Sequence, residues 1–217
     1  FGDHPAQVKK IEFDKHLNDN AVLAALTVRQ RQHLDFKDNN DHGEKRPAGD
    51  RNYLQLLPYL IVRDYQGKVF TYSRGKNGGE SRLIGDRSAG YGGHIEVNDL
   101  MYVEAGGAVP DLINTVYGSA HRELVEELEF IDEIEGVSHD GTAKAVTTME
   151  AVGLIYDTSN EVGHLHLGMV FVLTLAEGFT VKPREENVTE HGRLVSVAEL
   201  GSAEHENWTQ LAARYLL

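Results

Sequence analysis

The chain has 217 residues, 41% of them apolar and 25% charged, values ordinary for a folded domain and contrary to wholesale disorder. Its formal charge of −13 argues against a broad surface for duplex nucleic acid, whose phosphates reward lysine and arginine, yet leaves small phosphorylated ligands open. There is no cysteine, so disulfides, thiolate metal sites and cysteine nucleophiles are excluded. No run approaches the roughly 18 apolar residues of a membrane crossing. The first residues lack the layout of a secretion signal, and a cytoplasmic protein is the expectation.

Taken in chain order, residues 19–35 read as a helix that Asp19 or Asn20 can cap, with Val22, Leu23, Leu26 and Val28 in the run. A polar, turn-rich stretch follows to Asp50, so residues 1–50 read as an extension packed on a main domain spanning 51–217. Leu54 to Val62 is a buried-strand run in which Pro58 points to an edge or a bulge. Asp64-Tyr65-Gln66-Gly67 supplies a turn into Lys68 to Tyr72, which predicts a hairpin. A glycine cluster, Gly90-Tyr91-Gly92-Gly93-His94, comes next. The clearest helix is predicted at 111–129: Asp111 can cap it, and Ile113, Val116, Tyr117, Ala120, Leu124 and Leu128 form one apolar stripe. Strands are predicted at Val146 to Tyr156, at the alternating His164 to Leu167, and at Met169 to Leu175. Val195 to Leu200 and an amphipathic helix at Asn207 to Leu217 close the chain, with Trp208 in the core or an interface. Strands on both sides of a central helix suggest a mixed sheet covered by helices on both faces.

The chemistry centres on Arg122-Glu123-Leu124-Val125-Glu126-Glu127. Glu123, Glu126 and Glu127 stand at helical offsets 0, 3 and 4 and project to one side, while Leu124 and Leu128 join the apolar stripe. Three crowded carboxylates repel one another, and a hard divalent cation such as Mg²⁺ or Mn²⁺ would relieve them. From this helix alone a solvated acidic face is the simpler account.

The glycines upstream reverse that balance. Gly93, then Asp99, then Arg122-Glu123-Leu124-Val125-Glu126-Glu127-Leu128-Glu129-Phe130 resembles the box of the Nudix superfamily. That pattern runs Gly, five residues, Glu, seven residues, then Arg-Glu-aliphatic-any-Glu-Glu-any-Gly-aliphatic. Asp99 replaces a Glu, and Glu129 stands where a helix-ending glycine is usual. Between Asp99 and Arg122 lie 22 residues rather than 7, an insertion of 15 placed at about 100–114. The stretch from Glu80 to Ile95 is further similar to a MutT-like subgroup of predicted phosphoesterases.

The resemblance implies an α/β (α+β) fold, the Nudix-type α/β/α sandwich with a mixed β-sheet. It implies a Mg²⁺- or Mn²⁺-dependent pyrophosphohydrolase cleaving a diphosphate linkage in a nucleoside diphosphate derivative or similar small phosphorylated substrate. Carried over by position, Glu126 and Glu127 would be the principal metal ligands, with Glu123 a third ligand or the base, and the Gly93 carbonyl completing the shell. Arg122 would orient the carboxylates. A base outside the box falls on Glu190, Glu186 or Glu185, with Glu190 preferred, although a solvated acidic loop is the simpler reading of each singly. Arg74, Lys76 and Arg82 flank a glycine loop and could hold phosphates; exposed strand ends explain them equally. His164 and His166, alternating on one strand, could form a second site or merely a surface pair. A homodimer is a family tendency. The competing readings are a non-catalytic nucleotide-sensing module of the same fold, an isoprenoid diphosphate isomerase, poorly supported because its familiar form relies on a cysteine this chain lacks, and a structural domain with a solvated acidic helix.

Overall fold

The computed structural model describes residues 7–9, 55–74, 87–104, 111–136, 138–139, 144–160, 163–184 and 189–217. The helix expected at 19–35, the polar stretch after it and the loop from Gly75 to Gly79 lie outside the described residues. Strand β1 is Gln7–Lys9, β2 is Gln55–Arg63 and β3 is Val69–Arg74. Two short strands follow, β4 at Arg87–Ser88 and β5 at Gly90–Tyr91, and then helix α1 at Leu112–Glu127. After it come β6 (Leu128–Asp132), β7 (Ser138–His139), β8 (Val146–Tyr156) and β9 (His166–Leu175). The chain closes with β10 (Phe179–Pro183), β11 (Thr189–Val195) and helix α2 (Asn207–Leu216).

The main sheet runs β1-β8-β9-β2-β3-β11, with β4 beside β3 and β5 beside β2. It is mixed: β2 and β9 are parallel from Gln55↔His166 to Arg63↔Thr174, while β8 and β9 are antiparallel. A smaller antiparallel sheet is ordered β10-β6-β7. Alternation along β2 sends Leu60 and Val62 into one core with Val116, Ala120 and Leu124 of α1, and Tyr59 and Ile61 into a second core with Leu211 and Ala212 of α2. A helix therefore covers each face, as the α/β/α expectation required. Each fully buried aliphatic side chain, such as Leu124 at 1% exposure, contributes roughly 1.5–3 kcal/mol.

Local chemistry explains most element boundaries. Asp64 Oδ1 accepts the N–H groups of Gln66 (2.9 Å) and Lys68 (2.8 Å), and Gly67 adopts φ 84°, so this turn needs glycine. The hairpin it starts is brief: β2 and β3 pair at Arg63↔Val69, after which β2 takes β5 and β3 takes β4. Pro58 pairs with β9 on one side, whereas pairing to β5 begins two residues later at Leu60. Among the described residues no strand pairs with Pro58 on that far side, the edge position that a proline allows.

Two expectations are corrected. The helix ends at Glu127 rather than 129, because Leu128 is already extended (φ −125°) and opens β6, where Glu129 and Phe130 pair with Lys182 and Val181. No helix-ending glycine is needed, since the chain leaves the helix directly into a strand. His164 lies in a short 3₁₀ turn, Gly163–Leu165, and is exposed, while His166 opens β9 at 4% exposure. They share no strand face. Trp208 packs half-buried against the core on the α2 side, in keeping with its expected place, and meets the ring of Tyr59 edge-on at 5.5 Å.

Candidate functional site

The site is built where the glycines after β5 meet the second half of α1. At Gly92 a β-carbon would be driven into the carbonyl oxygen of Pro58, and at Gly93 into both carboxylate oxygens of Glu123. Only glycine lets the backbone lie this close to the helix carboxylate. The α1 cap sets the helix in place: Asp111 accepts the N–H of Asn114 at 3.1 Å. Its apolar stripe then seats Val116, Ala120 and Leu124 in the core, which fixes the rotation of Arg122, Glu123, Glu126 and Glu127.

Arg122 is the hub. Its Nε and Nη2 donate to Asp99 Oδ1 and Oδ2 at 3.0 and 2.9 Å, a two-pronged bond of the kind a planar guanidinium makes best. Nη2 also donates to the His94 carbonyl at 2.8 Å, tying the helix to the glycine turn. Nη1 meets Glu126 Oε2 at 2.8 Å and Glu123 Oε1 at 2.9 Å. The bond to Asp99 raises the arginine's pKa, and the same bond holds the Asp99 carboxyl below its usual range against the effect of burial. Asp99 in turn accepts the N–H of Glu96 at 2.8 Å. The residue that the sequence left without a role thus anchors Arg122 across the insertion.

Glu123 is 6% exposed, and burial pushes its carboxyl up to about 7. Arg122 pulls it down, while Glu126 and Glu127 push it further up. Glu126 is exposed and Glu127 half-buried, so the three carboxylates step from the interior to solvent within one helical turn. Among the described residues no three His, Asp or Glu groups converge into a ready-made metal cage. Arg122 supplies the counter-charge there.

The remaining sequence candidates are placed less completely. Glu190 pairs with Ser73, and Arg74 with Thr189, where β11 meets the end of β3; their side chains lie outside the described residues, as do Lys76, Arg82, Glu185 and Glu186. Sequence reasoning missed Arg184, whose Nε donates to the Val125 carbonyl at 2.8 Å and whose backbone N–H donates to the Glu127 carbonyl at 2.9 Å. The signal available was only a lone arginine before two glutamates. A shallow cleft lined by Val62, Phe70, Phe179 and Leu194 lies under the β2–β3 turn, but its mainly apolar walls hold none of the box residues.

No family profile matches the chain. It is 30% identical to Protein YmaB of Bacillus subtilis (strain 168) over 171 residues, covering 77% of this chain and 73% of that one. The crystal structure of Tm1382, a candidate Nudix hydrolase, matches with a TM-score of 0.57 at 22% identity, over 100% of this chain and 91% of the other, which establishes the shared fold. A Nudix hydrolase from Alicyclobacillus acidocaldarius matches with a TM-score of 0.47 at 14% identity, over 75% of this chain and 90% of that one. The chain thus has the fold of Tm1382, with the Gly93 turn set against the Arg122 to Glu127 helix, and it belongs to one family with Protein YmaB.

Proposed function

We propose that this chain is a metal-dependent hydrolase that cleaves a diphosphate linkage in a nucleoside diphosphate derivative or a similarly small phosphorylated molecule. The observation that carries the reading is Glu123: a buried carboxylate, packed so closely on Gly93 that a β-carbon there would displace it, and repelled by two further carboxylates on its own helix. Arg122 offsets only part of that cost, since burial still raises the Glu123 carboxyl to about 7 despite the ion pair. The donor set is oxygen alone, which suits Mg²⁺ or Mn²⁺. Glu126 and Glu127, with the Gly93 carbonyl, would hold the ion, and Glu123 would be either a third ligand or the base. A metal so held supplies polarisation of a phosphoryl oxygen and acidification of the attacking water.

The chain's own groups supply the rest. Where Glu123 serves as the base and not as a ligand, its carboxylate, raised to about 7 by burial, can accept a proton close to neutral pH. Arg122 keeps that carboxylate and Glu126 in register with the glycine turn through its bonds to Asp99 and the His94 carbonyl. Glu190 is the alternative base, and Arg74, Lys76 and Arg82 are the cations proposed for the substrate's phosphates.

Phosphate release should be followed across nucleoside triphosphates, ADP-ribose, NADH, diadenosine polyphosphates and CoA, with Mg²⁺ or Mn²⁺ and a coupled phosphatase. Glu123→Gln and Glu127→Gln are each expected to lower turnover by about 10²–10⁴-fold. Turnover that survives either substitution would place the chemistry elsewhere. Metal binding without turnover of any substrate would favour a nucleotide-sensing module instead.

A further inference from the structure

Arg184 leaves β10 at its end, and the pairs Pro183↔Leu128 and Lys182↔Glu129 carry it alongside the point where α1 stops. There it serves two of the last three helical carbonyls: its N–H binds that of Glu127 at 2.9 Å and its Nε that of Val125 at 2.8 Å. Its Nη1 also lies 3.8 Å from Glu129 Oε1. Terminal carbonyls of a helix lack donors within it, and a cation among them opposes the negative end of the helix dipole. The turn gripped in this way is the one that presents Glu126 and Glu127. In the other direction, Glu185 and Glu186 follow Arg184 directly in the chain, and Glu190 is the second residue of β11.

We propose that Arg184 is a positioning residue of the site: one side chain locks the carboxylate-bearing turn of α1 to strand β10 and so fixes how that turn presents Glu126 and Glu127. The proposal rests on the hydrolase reading and adds to it a residue outside the box. A helix cap alone would affect stability only. A positioning residue also sets how well the turn binds metal, because the orientation of the carboxylates depends on it.

The test compares wild type with Arg184→Gln and Arg184→Lys; the backbone bond to Glu127 survives in all three, which protects the fold. Mn²⁺ affinity is read by electron paramagnetic resonance, kcat and KM by Mn²⁺-dependent phosphate release, and the helix end by hydrogen exchange over residues 123–129. Arg184→Gln is expected to weaken Mn²⁺ binding about tenfold and to lower kcat by a similar factor with KM little changed. Its helix end should exchange faster. Arg184→Lys should recover most of the loss, since an ammonium can still reach the Val125 carbonyl. Mn²⁺ affinity and kcat within about twofold of wild type in Arg184→Gln would overturn the proposal. So would equal losses in both variants that merely follow a fall in melting temperature. A wild type that neither binds Mn²⁺ nor turns over substrate would remove the hydrolase reading instead. Unchanged exchange over 123–129 in Arg184→Gln would then also remove the coupling.

Discussion

At Gly93 the place of a β-carbon is taken by the carboxylate of Glu123, and the consequence is testable with a single methyl group. Gly93→Ala must push Glu123 off its seat, and the atoms in the way are the end of a side chain, so the fold can yield locally. Turnover is therefore expected to fall at least tenfold, while stability to urea changes by only about 1 kcal/mol. A variant as active as wild type would show that Glu123 need not sit against the glycine turn. At this scale the sequence was informative where chemistry is local. The offsets of Glu123, Glu126 and Glu127 follow from helical geometry, and the need for glycine at 93 from the pattern. Asp99 was not legible, because its role depends on meeting Arg122 across 22 residues, and Arg184 was not, because it meets Val125 from 59 residues further along the chain.

Helix α1 shows what an element needs from its own sequence and what it takes from neighbours. Its start is local: Asp111 accepts Asn114 N–H, and the Asn114 amide donates back to Asp111 Oδ2 at 2.6 Å. Asp111→Ala is expected to cost about 1 kcal/mol, read as a lower urea midpoint with an unchanged slope. An unmoved midpoint would mean that the backbone bond from Asp111 N–H to Met101 O, at 2.8 Å, holds the start by itself. The end of α1 is tertiary. Pairing with β10 draws Leu128 into a strand, and no residue between 127 and 130 signals it. The same distinction separates the strands. Val146 to Tyr156 was readable from its own run, whereas His164 was misassigned because a polar–apolar alternation over four residues fits a 3₁₀ turn followed by a strand as well as it fits one strand.

Across the whole molecule the sheet separates two different interiors. The α1 side carries the candidate site, while the α2 side buries a polar network in which Tyr59 Oη donates to Glu206 Oε1 at 3.1 Å and lies 2.9 Å from Thr209 Oγ1. Beside it His205 is 3% exposed; its Nδ1 lies 3.1 Å from Ser202 Oγ, and its Nε2 has no hydrogen-bond partner among the described residues. Burial holds its pKa below 6.5, Arg87 and Arg193 reinforce that, and Glu204 and Glu199 oppose it. The imidazole is therefore neutral in the folded chain at neutral pH. Above the unfolded value of 6.5 neither state is protonated, and His205 adds no pH dependence. As pH falls below it, the unfolded chain takes up a proton that the folded chain resists, so stability declines until the lowered folded value is passed. Other groups titrate in the same range, but they are common to wild type and His205→Gln, so the difference between the two isolates the imidazole. Wild-type stability minus variant stability, from urea midpoints, should therefore be smaller at about pH 5 than at about pH 7.5. A difference that stays flat across that interval would mean that the folded chain protonates His205 as readily as the unfolded one, and that the α2 layer is looser than its packing implies.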